Sequence, residues 1–169
     1  TKHCNIIYQG VGTETYIDVK DVQACKVANI DWNGKVVYLG VDLSETTDNT
    51  SVSMVAVDDD NNVLCESFAF IPEGRIEEKS ISEKVDYQNL SKTKYCIPCG
   101  DRVIDYKVVE DFILSLEEKY GVQIQAIGFY RYNAMSSMQK IAEQGYNVVE
   151  IRQHSSILHS PTKLLKEIE

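Results

Sequence analysis

The sequence predicts an α/β domain in which helices pack on the faces of a mixed sheet. Three segments of strand-forming residues come first, separated by short turns, and alternating helical and strand patterns follow. Strands joined by short turns form an antiparallel meander, whereas strands joined through helices run parallel by right-handed crossovers. The later strands are therefore expected beside the first strand, on the side away from the meander.

The meander is predicted from three short segments. A continuous apolar run predicts a central first strand at residues 35–41, and alternation predicts a second strand at 51–57. The run of Asp and Asn at 58–62 has the composition of a turn, which places a third strand at 63–70. Residues 71–95 are polar and charged, as is typical of a loop with a short helix.

The next pattern is a helix followed by a fourth strand. Asp105 is a favourable N-cap residue, and apolar residues recur after it with a helical period until Gly121. Residues 122–129 then have the composition of a strand. Because this strand follows a helical crossover, we expect it beside the first strand and parallel to it.

The end of the chain predicts two more helices and one more strand. Asn133 is predicted to cap a helix that ends at Gly145. The inward face of that helix is predicted to be apolar and consists of Met135, Met138, Ile141 and Ala142. Residues 147–151 have the pattern of a fifth strand. Ser160 and Pro161 have the order of an N-cap and a first-turn proline, which predicts that the final helix begins there.

Length and charge limit the class of protein. The chain has 169 residues and a formal net charge of −9 at pH 7, which suits one domain with a sizeable core. The acidic excess lies in residues 1–130, since residues 131–169 carry five Lys and Arg against four Asp and Glu. This balance argues against a simple basic nucleic-acid-binding surface. It does not exclude phosphate substrates, because metal ions bridge carboxylates and phosphates.

No segment has the pattern of a membrane span or of a signal peptide. A cytoplasmic location without membrane association is therefore expected. The sequence begins with Thr1 rather than Met, so we expect it to be a piece of a longer chain.

The five cysteines have irregular spacing, and Cys96 and Cys99 form a lone CxxC motif. A structural zinc site needs four ligands, and the sequence has no second CxxC and no HxxxH motif. The alternative is a set of reduced thiols, with Pro98 and Gly100 marking a turn.

Asp42 is the first candidate functional residue, because it follows the predicted central strand directly. A carboxylate in that position needs a partner, and ligands usually bind at the carboxyl ends of such strands. The fourth strand is expected to end beside Asp42 with Phe129, Tyr130 and Arg131. A second acid there would complete a site for a divalent metal, but the sequence has Tyr130.

Simpler structural roles remain open for both acids of this region. Asp42 is also suited to accept hydrogen bonds from the backbone of Ser44 or Glu45. Asp48 lies in a Thr-Thr-Asp-Asn run, which is good turn chemistry.

A family resemblance rests on several motifs of this sequence. The stretch GVDLSETTDNTSVSMVAV resembles the first-strand motif of the large terminase subunits of tailed phages, and FYRYNA and RQHSSILHSPTK resemble later blocks of the same family. The resemblance implies a ribonuclease H-like nuclease domain. It also implies an N-terminal ATPase domain in the complete subunit. The sequence contains no G-x-x-x-x-G-K-[ST] phosphate loop. We therefore expect residues 1–34 to lead in from a missing ATPase domain. Residues 35–169 are expected to form a nuclease domain that is incomplete at its C-terminus.

The resemblance also implies a metal site. It places the first catalytic acid on Asp42 and an accessory acid on Asp48, both as ligands of Mg²⁺ or Mn²⁺ in a two-ion site. The second catalytic acid falls on Tyr130, whose phenol is a poor magnesium ligand. The third acid is expected beyond Glu169.

Three residues near the predicted strand ends are candidates for DNA contacts. Arg131 lies beside the expected site and is suited either to a phosphate or to a surface acid. Arg152 and His154 follow the fifth strand. His154 is suited to contact DNA or a metal-bound water, but it also fits an ordinary polar loop.

The resemblance leads to two functional hypotheses. The first is a metal-dependent endonuclease that cuts concatemeric DNA during genome packaging in a phage or prophage. The second is a non-catalytic module that docks the packaging motor, the portal or DNA, and Tyr130 favours it. The expected partners are double-stranded DNA, the ATPase domain, the small terminase subunit and the portal. Another ribonuclease H-like enzyme, such as a recombinase, is a more distant alternative.

Overall fold

The computed structural model describes residues 17–44 and 48–167. These residues form two compact units. One unit spans Ile30–Gln153 and contains the sheet, and the other combines the described residues before Ile30 with those after Gln153. The predicted α/β architecture is confirmed in the unit that contains the sheet.

Six strands form a mixed sheet within the described residues. They are β1 Val36–Asp42, β2 Thr50–Val57, β3 Val63–Ile71, β4 Cys96–Pro98, β5 Gln123–Phe129 and β6 Val148–Glu150. Their order in the sheet is β4-β3-β2-β1-β5-β6. The first three strands pair antiparallel, whereas β5 pairs parallel with β1 and β6 parallel with β5. The predicted meander and the position of the later strands are both confirmed.

The turn between β2 and β3 forms because Asp58 caps it. Its Oδ1 accepts hydrogen bonds from the backbone N–H groups of Asp60 at 3.0 Å and Asn62 at 2.8 Å. The Asn62 side chain also donates to Asp58 Oδ2 at 2.9 Å. This side-chain bond is the largest cause of the lowered pKa of Asp58, and the backbone bonds add to it. The predicted turn chemistry is therefore correct.

The helices of this unit are α2 Ile76–Glu83, α3 Tyr87–Leu90, α4 Tyr106–Tyr120 and α5 Met135–Glu143, with a short 3₁₀ turn at Glu73–Arg75. The prediction for α4 is confirmed at both ends. The Asp105 side chain accepts from the Lys107 N–H at 2.9 Å. Gly121 has φ of 65°, the left-handed conformation that commonly ends a helix.

The core lies on one face of the sheet. Val37, Leu39 and Val41 of β1 are buried there and share one cluster with Ile113 and other residues of α4. On the opposite face of β1, Tyr38 is exposed, and a Cβ atom added at Gly40 would meet no atom within 4 Å. Among the described residues of the unit that contains the sheet, the core therefore packs on one face of the central strand, and Asp42 projects on the other.

Phe112 of α4 anchors that helix to the sheet. Its ring packs edge-on against Phe68 and Phe70 of β3, with centroid distances of 4.9 and 5.2 Å. Such aromatic pairs favour tilted geometry because the ring edge is positive and the ring face negative. The packing fixes α4 over the strands that lead to the candidate site.

Two parts of the segment after β3 differ from the prediction. Residues 71–95 contain two helices and a 3₁₀ turn rather than a loop with one short helix, and the edge strand β4 follows them. Asp86 begins α3, since its side chain accepts from the Asn89 N–H at 3.0 Å. Three residues that include a proline have too little pattern to predict β4, and proline is tolerated there because the strand is at an edge.

The start of α5 also differs from the prediction. Asn133 does not cap the helix, because it lies in the turn before it with φ of 63°, a conformation that Asn tolerates. Ala134 occupies the N-cap position without a side-chain cap. Met138 and Ile141 are buried as expected, whereas Met135 is exposed and Ser137 is buried instead.

The other unit contains α1 Val19–Ala24 and α6 Ser155–Glu167. The prediction that the last helix begins at Ser160 is wrong, because α6 begins five residues earlier and Pro161 lies inside it. The His154 carbonyl accepts hydrogen bonds from Ile157 and Leu158, which starts the helix there. A proline inside a helix removes one donor, and the helix continues past it. Within the described residues, no helix is both long and apolar enough to cross a membrane.

Candidate active site at the carboxyl ends of the central strands

The centre of the sheet brings Asp42 and Tyr130 to the same edge. Strand β1 pairs antiparallel with β2 on one side and parallel with β5 on the other, and Val41 is the partner of Phe129. The next residue of each strand is therefore Asp42 and Tyr130. Both are exposed. The predicted juxtaposition of these two residues is present in the fold.

The backbone after Asp42 makes a hydrogen bond to a group other than the Asp42 carboxylate. The Ser44 N–H donates to Thr50 Oγ1 at 3.0 Å, so this amide is already satisfied by the first residue of β2. The other amide considered as a partner, that of Glu45, lies outside the described residues. The Asp42 side chain remains exposed to solvent at the end of the strand.

The connection between β1 and β2 is held at both ends by side chains. Thr50 is completely buried, and its hydroxyl lies 3.3 Å from the Ser44 carbonyl. The Tyr106 hydroxyl, from the first residue of α4, donates to the same carbonyl at 3.2 Å. At the other end, Asn49 Nδ2 donates to the Tyr87 hydroxyl at 2.9 Å. Asp48 is exposed next to Asn49.

Strand β6 adds an acid to the same edge that the sequence did not single out. Glu150 ends β6 and pairs with Phe129, and the Ile151 N–H donates to the Phe129 carbonyl at 2.8 Å. Paired residues of parallel strands face the same side of a sheet. Glu150 therefore lies on the same face of the sheet as Phe129. Asp42 and Tyr130 each follow a residue of that face, so they lie on the opposite face. The only sequence signal for Glu150 is its position one residue before the end of the strand predicted at 147–151.

The two candidate arginines follow neighbouring strands. Arg131 comes two residues after the end of β5, and Arg152 two residues after the end of β6, and both are exposed. His154 belongs to the other unit. Its Nδ1 lies 2.7 Å from Ser156 Oγ and accepts from the Ser156 N–H at 3.2 Å, as an N-cap of α6 does.

Comparison with known proteins identifies the family. The family model of the terminase large subunit, endonuclease domain, matches residues 1–168. The chain belongs to this family. No curated protein matches the sequence. The family match confirms the resemblance that the sequence motifs indicated.

A solved structure supports the fold of this terminase endonuclease domain. The crystal structure of the HK97 bacteriophage large terminase aligns with a TM-score of 0.79 at 18% sequence identity. The alignment covers 90% of this chain and 32% of the HK97 chain. The chain thus spans about a third of the length of that terminase. The fold is ribonuclease H-like, as the resemblance implied.

The side chains at the strand ends fit a metal site only in part. Among residues 17–44 and 48–167, no group of three or more His, Cys, Asp or Glu side chains is arranged to hold an ion. Asp42 offers the hard oxygen donor that Mg²⁺ and Mn²⁺ prefer, but the Tyr130 phenol does not. The described residues therefore do not complete a two-ion site by themselves.

The zinc hypothesis for Cys96 and Cys99 is not supported by their surroundings. Both thiols are buried, Cys96 in a small cluster with Ile71 and Tyr87, and Cys99 in the main core. Burial raises the pKa of both thiols. Zinc binds deprotonated thiolates, and burial without a metal favours the protonated form. Among the described residues, no further His, Cys, Asp or Glu side chains complete a metal-binding group with these two cysteines.

Proposed function

We propose that this chain cleaves double-stranded DNA as the nuclease domain of a phage or prophage terminase. The reaction is hydrolysis of phosphodiester bonds in concatemeric DNA during genome packaging, in the cytoplasm of the bacterial host. The observation that carries the proposal is the exposed Asp42 carboxylate at the end of the central strand, beside the parallel strand β5. Membership of the endonuclease-domain family supports the same reaction class.

In this proposal, Asp42 and Asp48 are ligands of Mg²⁺ or Mn²⁺, and Tyr130 stands where the family has a second acid. Bound ions of this kind supply an activated water and stabilise the charge on the phosphate. Asp42 is fixed by the pairing of β1 with both neighbours, whereas Asp48 depends on the connection to β2. Such ions take further oxygen ligands beyond these two carboxylates, including water molecules.

DNA is proposed to bind along the edge where the parallel strands end. Arg131 and Arg152 are exposed there, and guanidinium groups pair well with phosphate oxygens. Contacts of this kind hold the DNA backbone and carry little sequence information. The net charge of −9 disfavours DNA binding over most other surfaces of the domain. His154 is a weaker candidate, because its ring already interacts with Ser156.

The partners of the domain are proposed from the family. They are the ATPase domain of the same subunit, the small terminase subunit and the portal. Residues 1–34 are proposed to lead in from the ATPase domain, and residues 35–169 to form the nuclease domain. Residues 1–16 of the lead-in segment, and Cys4 within it, lie outside the described residues.

A second candidate function is a non-catalytic assembly module. Tyr130 favours it, because a phenol replaces a carboxylate at the end of β5. In this case the domain docks the packaging motor, the portal or DNA without cutting the DNA.

A plasmid-cleavage assay distinguishes the two functions. Supercoiled DNA is incubated with the chain in Mn²⁺ or Mg²⁺, with and without a chelator. The nuclease proposal predicts relaxed and linear products that disappear with the chelator. Retained DNA binding without any cleavage in either metal would favour the assembly module instead.

A further inference from the structure

A chain of hydrogen bonds links the β1–β2 connection to the helices that follow β3. Asn49 Nδ2 donates to the Tyr87 hydroxyl at 2.9 Å, and this hydroxyl donates to Glu83 Oε2 at 2.6 Å. The other carboxylate oxygen of Glu83 accepts from Lys79 Nζ at 2.5 Å. Asn49 and Tyr87 are 38 residues apart in sequence, so the link joins two separate parts of the domain.

The direction of each bond follows from the chemistry of the groups. Lys79 holds the pKa of Glu83 below its usual range, with a smaller contribution from Tyr87, so the carboxylate is charged at neutral pH and acts only as an acceptor. Burial raises the pKa of Tyr87, and the phenol keeps its proton. A tyrosine hydroxyl has one hydrogen to donate. Because Glu83 accepts it, Tyr87 must accept from the Asn49 amide, which fixes the orientation of that amide.

Tyr87 is well suited to act as a rigid anchor. Its ring is buried in a small cluster with Ile71 and Cys96, which belong to β3 and β4. The ring is thus held by the sheet edge, while its hydroxyl reaches the residue that follows Asp48. At the other end of the connection, Thr50 and Tyr106 hold Ser44.

We infer that Tyr87 is a positioning residue for the candidate active site, because it fixes Asn49 and thereby the neighbouring candidate ligand Asp48. The inference rests on the proposed function insofar as Asp48 binds a metal ion. Residues that orient metal ligands from outside typically contribute about 10–100-fold to metal affinity. In this inference, Tyr87 increases the affinity for the metal ion without contacting the ion itself.

The test compares the Tyr87→Phe variant with wild type in two measurements. One is the dissociation constant for Mn²⁺, and the other is hydrogen exchange of the backbone amides of Asp48, Asn49 and Thr50. The substitution removes the hydroxyl and keeps the buried ring. We expect the Mn²⁺ affinity to fall about tenfold and exchange to accelerate at these three amides, whereas exchange in the rest of the sheet is unchanged.

Tyr146→Phe is the matched control. It removes a tyrosine hydroxyl that donates to Glu117 at 3.2 Å, away from the β1–β2 connection. A purely structural role for Tyr87 predicts the same effects from both variants. Unchanged Mn²⁺ affinity and exchange in Tyr87→Phe, or equal changes in the control, would overturn the inference.

Asn49→Ala provides a second variant in case Tyr87→Phe fails to fold. It removes the other partner of the same bond from the connection itself. We expect Asn49→Ala to reproduce the effect of Tyr87→Phe. The double variant should bind Mn²⁺ with no lower affinity than either single variant, because both substitutions remove the same contact. Additive effects in the double variant would contradict this.

The outcomes also separate this inference from the proposed function. If wild type binds no Mn²⁺, the metal-dependent nuclease proposal fails. Hydrogen exchange then decides about Tyr87 alone. Faster exchange at residues 48–50 in Tyr87→Phe then supports only the anchoring of Asn49 by Tyr87 and not a role in metal binding, and unchanged exchange rejects the anchoring as well.

Discussion

Val41 of β1 and Phe129 of β5 are partners in a parallel ladder, and this pairing brings Asp42 and Tyr130 to the same edge of the sheet. The arrangement arises because β1 lies between an antiparallel and a parallel neighbour. A crevice at such a point is a common position for ligands in α/β proteins. The proposed nuclease function requires that the Asp42 carboxylate at this edge binds a metal ion.

The first prediction concerns Asp42 itself. Asp42→Asn keeps the size of the side chain but removes the charge that binds a cation. We expect DNA cleavage in Mn²⁺ to fall on the order of a hundredfold or more, since even indirect partners of metal ligands contribute about 10–100-fold. Cleavage is measured on supercoiled plasmid. Asp59→Asn, in the exposed turn at the other end of β2, is the control and should leave cleavage unchanged.

The second prediction concerns Tyr130. Tyr130→Asp adds a carboxylate beside Asp42, and additional charged ligands increase the affinity for divalent cations. We expect the dissociation constant for Mn²⁺ to fall by about tenfold and cleavage to rise. Titration calorimetry measures the affinity. Tyr132→Asp adds the same charge two residues further along, at a more exposed position. Equal affinities of the two variants would show that Tyr130 does not occupy a ligand position.

The third prediction concerns DNA binding. Arg131→Ala removes a cation next to the candidate site, so each lost phosphate contact should weaken binding and reduce the salt dependence of the affinity. We expect the slope of log affinity against log salt concentration to decrease by about 1. Fluorescence anisotropy with labelled DNA at several salt concentrations measures this slope. Lys119→Ala changes an exposed basic residue at the end of α4, just before β5 begins at the opposite edge of the sheet, and should not alter the slope.

The fourth prediction concerns stability. The Glu66 carboxylate is buried and accepts hydrogen bonds from Trp32 Nε1 at 2.7 Å and from Lys94 Nζ at 2.5 Å. Trp32→Phe removes one donor and leaves a buried acceptor partly unsatisfied. We expect the free energy of unfolding to fall by about 2 kcal/mol, as measured by circular dichroism in urea. Lys107→Met, which breaks an exposed ion pair with Asp111, should leave the unfolding midpoint unchanged.

The fifth prediction concerns the pH dependence that Glu83 contributes. The pKa of Glu83 is lowered in the folded protein, first by the bond from Lys79 and then by that from Tyr87. A lowered acid pKa stabilises the fold above the unfolded-state value, and this contribution is lost as the pH falls through the folded value. Wild type should therefore be more stable than Glu83→Gln at neutral pH. The difference should shrink as the pH falls below about 4.5.

Urea unfolding at several pH values measures this difference. Glu143→Gln, at an exposed position at the end of α5, is the control for the removal of one surface carboxylate. A difference for Glu83→Gln that is constant with pH would contradict the assignment.

The order of β1, β2, β3, β5 and β6 in the sheet and the position of Asp42 were predictable from the sequence. Apolar runs, the Asp-Asn turn at 58–62 and the Asp105 cap each specify structure locally. Right-handed crossovers then place the later strands beside β1. The juxtaposition of Asp42 and Tyr130 followed from these local patterns and one topological rule.

Other features depend on tertiary contacts and have little local signal. Strand β4 has three residues and is defined by pairing with β3 at Ala69, Phe70 and Ile71. The Asn49–Tyr87 hydrogen bond joins a loop residue to the first residue of a helix, and no periodic sequence pattern relates the two. Ser137 is buried because its hydroxyl donates to Glu110 at 2.7 Å, a partner on another helix. These contacts appear only when the elements are packed.

Metal binding by Asp42 is tested most directly by diffraction at the manganese absorption edge from crystals soaked in Mn²⁺. We expect an anomalous peak within coordination distance of the Asp42 carboxylate, at the edge shared by β1 and β5. An ordered Asp42 side chain bonded to backbone amides, with no peak beside it at saturating Mn²⁺, would show that Asp42 does not bind the metal.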